Sequence, residues 1–169
     1  VRRKAADRLG VRDQRLWPDL TEVEAALRDQ QALFHGDRQS AALRRLRDTA
    51  KQAMLLLQDF QPLLTGPVLD GSADEHSDVT LLLDADSPES VIFRLTDKGI
   101  PWRSEEKKLT FSQGRSEMRP KLSFRAHDTA IELVILNPGD LRQGIYNADR
   151  SRCLEVADLA RLEGMLIAG

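Results

Sequence analysis

Residues 66–84 read GPVLDGSADEHSDVTLLLD, and this stretch gives the clearest signals of strand and loop in the sequence. Residues 78–84 have a strongly apolar middle, which is typical of a strand inside a sheet. A second apolar run over 63–70 predicts another strand, which Gly66-Pro67 bends or interrupts. The polar residues 71–77 are therefore expected to form a loop between the two strands.

The sequence that follows predicts one helix, three strands and a last helix. Ser87-Pro88-Glu89 is typical of a helix start, and Gly99 is placed to end that helix. We expect a hairpin with strands over 108–111 and 121–126 and a Gln113-Gly114 turn, then a strand over 130–136. The final helix is expected over about 154–167, with its buried stripe formed by Leu159, Leu162 and Leu166.

The sequence before residue 62 predicts helices. A capping box at Thr21 and Glu24 begins one helix, which Gly36 is expected to end. A second helix is predicted from about residue 40 to 58, because apolar residues recur there at steps of three and four. An earlier helix is expected over about 2–9, and Trp17-Pro18 is expected to mark a turn.

This order of elements predicts an α+β protein. We expect a mixed or antiparallel sheet with helices packed on one face, preceded by a helical extension at the amino terminus. The boundary is placed between a helical region over 1–60 and an α+β region over 61–169, and the two are expected to form one compact unit.

Composition excludes several classes of protein. The 169 residues are 41% hydrophobic and 31% charged, with a net charge of −2, which is an ordinary globular mixture. The single cysteine, Cys153, forms no internal disulfide, and the three histidines have no zinc-site spacing. No apolar run approaches the roughly 20 residues that cross a bilayer. We therefore expect a cytoplasmic protein with no membrane partner, although the chain begins at Val1 and a missing amino-terminal segment stays possible.

The amino-terminal region carries a local excess of basic residues. It contains Arg2, Arg3, Lys4, Arg8, Arg12 and Arg15. A basic helix of this kind is able to contact RNA phosphates. A solvated helix face is the alternative interpretation.

The stretch 66–84 resembles the signature of the DNA polymerase β-like nucleotidyltransferase superfamily. In that signature a Gly-Ser pair follows a strand, the next strand opens with paired acids, and a later strand supplies a third acid. Gly71-Ser72 match the pair, Asp78 matches the first acid, and Glu132 matches the third. The resemblance covers about residues 45–136 and extends to a small bacterial group of predicted nucleotidyltransferases that share Gly99-Ile100-Pro101.

The resemblance implies a magnesium-dependent site that acts on a nucleotide. In such a site two metal ions stabilise the attacking and leaving oxygens, and carboxylates hold the metals. Asp78 and Glu132 are then the catalytic and metal-binding residues, while Gly71 and Ser72 position phosphate. Thr80 would face the same ligand, because alternate strand residues share a face, and Arg142 is a candidate for gripping a triphosphate.

Two features depart from the family pattern and leave three hypotheses open. Residue 80 is Thr where the family has an acid, and the loop between Ser72 and Asp78 is short. The first hypothesis is a degenerate nucleotidyltransferase that binds a nucleotide or a partner with weak or no turnover. The second is an active transferase that moves a nucleoside monophosphate to a small molecule, a protein or RNA. The third is a non-catalytic, helix-led interaction module, in which the signature is only a structural relic. For Glu132 by itself, an edge-facing carboxylate with a Lys or Arg partner is the alternative interpretation.

Overall fold

The structure is a computed structural model of the chain, and it describes residues 17–146 and 152–168. These residues form five α-helices: α1 (Trp17–Leu56), α2 (Pro67–Asp70), α3 (Pro88–Asp97), α4 (Asp140–Gln143) and α5 (Leu159–Ala168). They also form six strands: β1 (Leu63–Thr65), β2 (Val79–Asp84), β3 (Arg103–Phe111), β4 (Ser116–Ala126), β5 (Thr129–Leu136) and β6 (Ile145–Tyr146). The predicted α+β class with a mixed sheet is confirmed.

The helix α1 replaces the two helices predicted between residues 21 and 58. It begins at Trp17, so Trp17-Pro18 opens the helix instead of marking a turn. Proline is tolerated in a first turn because its missing N–H has no intrahelical acceptor there. The prediction that Gly36 ends a helix is wrong, since one glycine costs only about 1 kcal/mol and helix formers lie farther out on both sides, at Ala32-Leu33 and Ala41-Ala42-Leu43. The helix predicted over 2–9 lies outside the described residues.

The strand predicted over 63–70 is shorter than expected. It ends at Thr65, and Gly66, at φ 83°, turns the chain into α2. Pro67 occupies the first turn of α2, where its fixed φ suits a helix. The Gly66-Pro67 pair therefore ends the strand and starts a helix.

The six strands form one mixed sheet in the order β1-β2-β5-β4-β3-β6. The strands β3, β4 and β5 pair antiparallel in sequence order, and β5 then lies parallel beside β2. The hairpin strands start earlier and run longer than the predicted ranges, because charged residues from Arg103 onward continue the ladder. The parallel contact places the opening residues of β2 and β5 at the same end of the sheet.

One face of the sheet carries the main hydrophobic core. Alternate residues of the central strands, such as Leu81, Leu83 and Leu133, are fully buried on this face. The helices cover it with Leu46, Ala50 and Met54 from α1, Val91 and Leu95 from α3, and Leu162 from α5. Burying one such leucine contributes about 2 kcal/mol, so the apolar alternation fixes which strand residues point inward.

The other face of the sheet is covered over only part of its area. A second apolar cluster there includes Leu82, Val134, Leu136 and Phe111, with Leu154 and Val156 packed against it. Leu154 and Val156 precede α5, so the predicted helix start at residue 154 is wrong. The backbone of Ala157 instead exchanges two hydrogen bonds with Leu64, at 2.7 and 2.9 Å.

None of the helices in the described part of the chain combines the length and the apolar character that crossing a lipid bilayer requires.

Candidate functional site

A row of polar side chains crosses the partly covered face of the sheet. In five neighbouring strands, one polar residue of each strand pairs with a polar residue of the strand beside it. We call this set the polar row, and it consists of Thr65, Thr80, Glu132, Ser123 and Arg103. Residues that pair across a ladder point to the same face. The polar row therefore brings five hydrogen-bonding side chains together on one sheet surface.

The polar row marks the limit of the second apolar cluster. The next residues on the same face are Leu63, Leu82 and Val134 from the first three strands, and these belong to that cluster. On β4 and β3 the corresponding residues are Lys121 and Glu105, which are charged. Thr65, at one end of the row, is buried, and its hydroxyl donates to Glu155 O at 2.6 Å. The surface formed by the other four residues of the polar row, together with Glu105, Lys107, Lys121, Arg125 and Ala130, is called the open half of the face here.

Glu132 is held by two lysines on the open half. Lys121 Nζ lies 3.2 Å from Glu132 Oε1, and Lys107 Nζ lies 3.6 Å from Glu132 Oε2. Lys121 also donates to Glu105 Oε2 at 2.9 Å. The hydrogen bond to Glu105, helped by the one to Glu132, outweighs burial and raises the pKa of Lys121 above its usual value. Both carboxylate oxygens of Glu132 thus face ammonium groups.

Cations outnumber carboxylates on the open half. Arg103 is exposed, and within the described residues it makes no ion pair or hydrogen bond through its side chain. Glu105 and Glu132 provide the negative charge, whereas the positive charge comes from Lys107, Lys121, Arg103 and Arg125. The surface consequently attracts anions such as phosphate.

The structure brings together some of the residues predicted from the sequence. Thr80 and Glu132 are direct partners across the parallel β2–β5 pair, as adjacent strands require. Asp78 is exposed and lies just before Val79, outside β2. Within residues 17–146 and 152–168, no three Asp, Glu, His or Cys side chains are grouped so that they would hold a metal ion. Mg²⁺ at Asp78 and Glu132 stays a prediction, and the two lysines on Glu132 do not suit it.

The Gly71-Ser72 pair forms a local turn after α2. Gly71 ends α2 in the left-handed conformation at φ 93°, and its N–H donates to Pro67 O at 3.0 Å. The Ser72 hydroxyl donates to Asp70 Oδ1 at 2.6 Å, and the Ser72 N–H contacts the same oxygen at 2.8 Å. The start of this segment lies beside the polar row, because a Cβ added to Gly66 would be 3.9 Å from the Thr80 side chain.

Arg142, the remaining predicted residue, is exposed on the short helix α4. The cations that surround Glu132 were not among the residues predicted from the sequence. Residues 105–108 of β3 are all charged and give no alternation. A signal exists in β4, where polar Lys121, Ser123 and Arg125 alternate with the buried residues Leu122 and Phe124. Period-two alternation of this kind indicates one solvated strand face.

A comparison with models of known protein families gives no match, and a comparison with curated proteins gives none either.

Proposed function

We propose that the chain binds a nucleotide through its phosphate groups on the open half of the sheet, with weak or no nucleotidyl transfer. The observation that supports this most directly is the set of basic side chains around the polar row. Lys107, Lys121 and Arg103 come from neighbouring strands of one rigid sheet, and guanidinium and ammonium groups are the usual phosphate partners in proteins. The exposed single cysteine, Cys153, fits a reducing, cytoplasmic setting.

The arrangement around Glu132 supports binding over turnover. A magnesium ion needs carboxylate oxygens whose charge is available. In this chain the Glu132 oxygens contact Lys121 and Lys107, and the second family acid is replaced by Thr80. We infer that the basic side chains of the open half, in which Arg103 and Arg125 have no carboxylate partner among the described residues, supply positive charge that metal ions provide in an active nucleotidyltransferase.

Replacement of Glu132 by Gln separates this proposal from a metal-dependent site. If Glu132 holds magnesium, Glu132→Gln abolishes nucleotide binding. If Glu132 instead neutralises two phosphate-binding lysines, the same change frees them and strengthens binding severalfold. Glu106→Gln is the matched control, because Glu106 is exposed on the opposite face of β3. Isothermal titration with each of the four NTPs, with and without Mg²⁺, measures the effect.

Arg103→Gln tests the same site from the cationic side. It removes the unpaired guanidinium from the polar row, and we expect about a tenfold loss of affinity for the NTP. Lys108→Gln, an exposed lysine on the opposite face of β3, should leave the affinity unchanged. Loss of NTP binding in Glu132→Gln, or no NTP binding by the wild-type chain, contradicts the proposal. Release of pyrophosphate from an NTP would show an active transferase instead.

A further inference from the structure

A cavity of about 550 Å³ adjoins the polar row at the start of β3. Its lining includes Arg103 and Ser123 of the row, together with Trp102, Glu105 and Arg125. Cavities of a few hundred cubic ångströms accommodate small organic ligands. The cavity is larger than a phosphate group needs, and it contains an aromatic side chain.

Two of the lining side chains are held in place by hydrogen bonds outside the cavity. The Trp102 indole donates from Nε1 to Thr96 Oγ1 at 3.2 Å, which links the ring to α3. Arg125 Nη2 donates to the carbonyl of Asp128 at 2.8 Å. This carbonyl belongs to the β4–β5 turn, where His127 and Asp128 have positive φ values of 49° and 67°. Each of these groups therefore has an orientation set before any ligand arrives.

The charges of the cavity select an anionic ligand. Glu105 already accepts a hydrogen bond from Lys121 at 2.9 Å, so its charge is compensated. Arg103 and Arg125 have no carboxylate partner in the part of the chain that the structure describes. An exposed indole beside uncompensated guanidinium groups suits a planar ring that carries phosphate.

We propose that this cavity binds the base of the nucleotide and that guanine is the base it fits best. This inference rests on the proposed function, in which the phosphates contact Lys107, Lys121 and Arg103. Guanine presents two neighbouring acceptors, O6 and N7, and arginine is the side chain that pairs with both. Adenine places an amino donor beside N7, which the donor-only guanidinium of Arg125 does not match. Glu105 accepts hydrogen bonds from the guanine amino group or from ribose.

A chain with Trp17→Phe makes the proposal measurable, because Trp102 is then the single tryptophan. We expect GTP to quench the Trp102 fluorescence and to bind about tenfold more tightly than ATP, CTP, UTP or inorganic tripolyphosphate. Isothermal titration gives the affinity for tripolyphosphate, which has no ring. Equal affinities for GTP and tripolyphosphate would overturn the guanine site.

Variants of the cavity separate the base from the phosphates. Arg125→Gln should weaken the binding of GTP about tenfold and the binding of tripolyphosphate much less, because tripolyphosphate loses only the general attraction of one positive charge. Lys108→Gln should alter neither. Trp102→Leu should lower the affinity for GTP. Trp102→Phe, which keeps an aromatic ring, should retain most of the wild-type affinity. Circular dichroism confirms that each variant is folded. If Arg125→Gln and Trp102→Leu bind GTP like the wild-type chain, the guanine site is wrong while phosphate binding stands. If neither GTP nor tripolyphosphate binds, both proposals fail.

Discussion

Arg119 and Asp140 form the most buried charged pair among the described residues. Arg119 donates from Nε to Asp140 Oδ2 at 2.8 Å and from Nη2 to Oδ1 at 3.0 Å, while the side chains are only 7% and 3% exposed. The N–H of Asn137 also donates to Asp140 Oδ2, and the Arg119 guanidinium lies 5.4 Å from the Phe111 ring centroid. A buried pair with this many partners ties β4 to the segment that begins α4.

Replacement of Asp140 by Asn tests the contribution of this pair. The change leaves the Arg119 charge buried without its counterion, and we expect the free energy of unfolding to fall by about 3–5 kcal/mol. Glu117→Gln is the control, because Glu117 contacts the same guanidinium at 3.2 Å but is 39% exposed. The control should cost less than about 1 kcal/mol. Urea unfolding followed by circular dichroism measures the free energy of unfolding of both variants. Equal losses would contradict the stabilising role of the buried Arg119–Asp140 pair.

The pH dependence of stability provides a second readout of the same variant. Burial alone would raise the pKa of Asp140, but the hydrogen bonds from Arg119 and Asn137 and the Arg119 charge outweigh it and lower the pKa. A lowered folded-state pKa gives stability that is present above about pH 4 and is lost as the pH falls through the folded value. The wild-type chain should therefore lose more stability than Asp140→Asn between about pH 5 and pH 2. Parallel curves would rule out this source of acid sensitivity.

Arg47 connects two elements, the long helix α1 and the short helix α2. Its Nε donates to Val68 O and its Nη2 donates to Leu69 O, both at 2.9 Å. The last carbonyls of a short helix have no donor within the helix, and here the Arg47 side chain satisfies those of Val68 and Leu69. Burial lowers the pKa of Arg47, and the nearby Asp70 partly offsets that effect. Arg47 thereby holds the segment that leads into Gly71-Ser72.

We expect Arg47→Met to loosen this segment specifically. Met fills similar space but leaves two carbonyls without their donor, which costs about 1–3 kcal/mol. Amide hydrogen exchange should accelerate over residues 68–73 and stay unchanged in β4 and β5. Arg44→Met, an exposed arginine of the same helix, should change neither stability nor exchange. Uniform acceleration across the sheet would show that Arg47 acts on global stability instead.

Elements with strong local signals could be predicted from the sequence. The apolar run of β2, the Ser-Pro-Glu start of α3 and the apolar run of β5 each give nearly the observed bounds. The continuity of α1 could not be predicted in this way, because the helix propensity of many residues together outweighs the single stop signal at Gly36. The strand β6 has two residues, and it forms only because Thr110 and Phe111 of β3 offer it a ladder edge.

The candidate site depends on register, which the sequence supplies only in part. The family pattern predicts that Glu132 lies on a strand beside the one that Asp78 opens, and the parallel pairing of β2 and β5 places Thr80 opposite Glu132. The two lysines of Glu132 come from β4 and β3, whose register is set by a hairpin longer than the predicted one. A shift of one residue would move Lys121 and Lys107 to the opposite face. Their contact with Glu132 was therefore beyond local sequence signals.

At the scale of the whole molecule, the sheet has different environments on its two faces. Leu81, Leu83 and Leu133 are buried beneath the helices on one face, whereas Thr80, Glu132 and Ser123 lie on the open half of the other. The part of the first face that the helices cover supplies stability, so the residues of the open half are released from packing. This division allows charged residues to change on the open half at little cost to the fold.

The compact unit that contains the sheet runs over Gln39–Gly169. We predict that a chain beginning at Gln39 folds cooperatively, because the described buried core residues lie between Ala42 and Leu162. In the remaining part of α1, the packing of Leu46 and Met54 stabilises the helix, since tertiary packing supplies most helical stability in proteins. Urea unfolding of this shorter chain should show one sigmoidal transition. Isothermal titration should give it the same affinity for GTP as the full chain.

A chain beginning at Lys51 is the matched control, because it lacks Leu46 and Ala50, which are fully buried. Each lost core leucine costs about 2–5 kcal/mol, which exceeds what a domain of this size tolerates when several contacts are removed together. We expect this shorter chain to lose the cooperative transition. If the chain from Gln39 also loses it, residues 1–38 contribute to the core. If it folds but binds RNA more weakly than the full chain, the basic segment from Arg2 to Arg15 is the RNA contact that the sequence predicts.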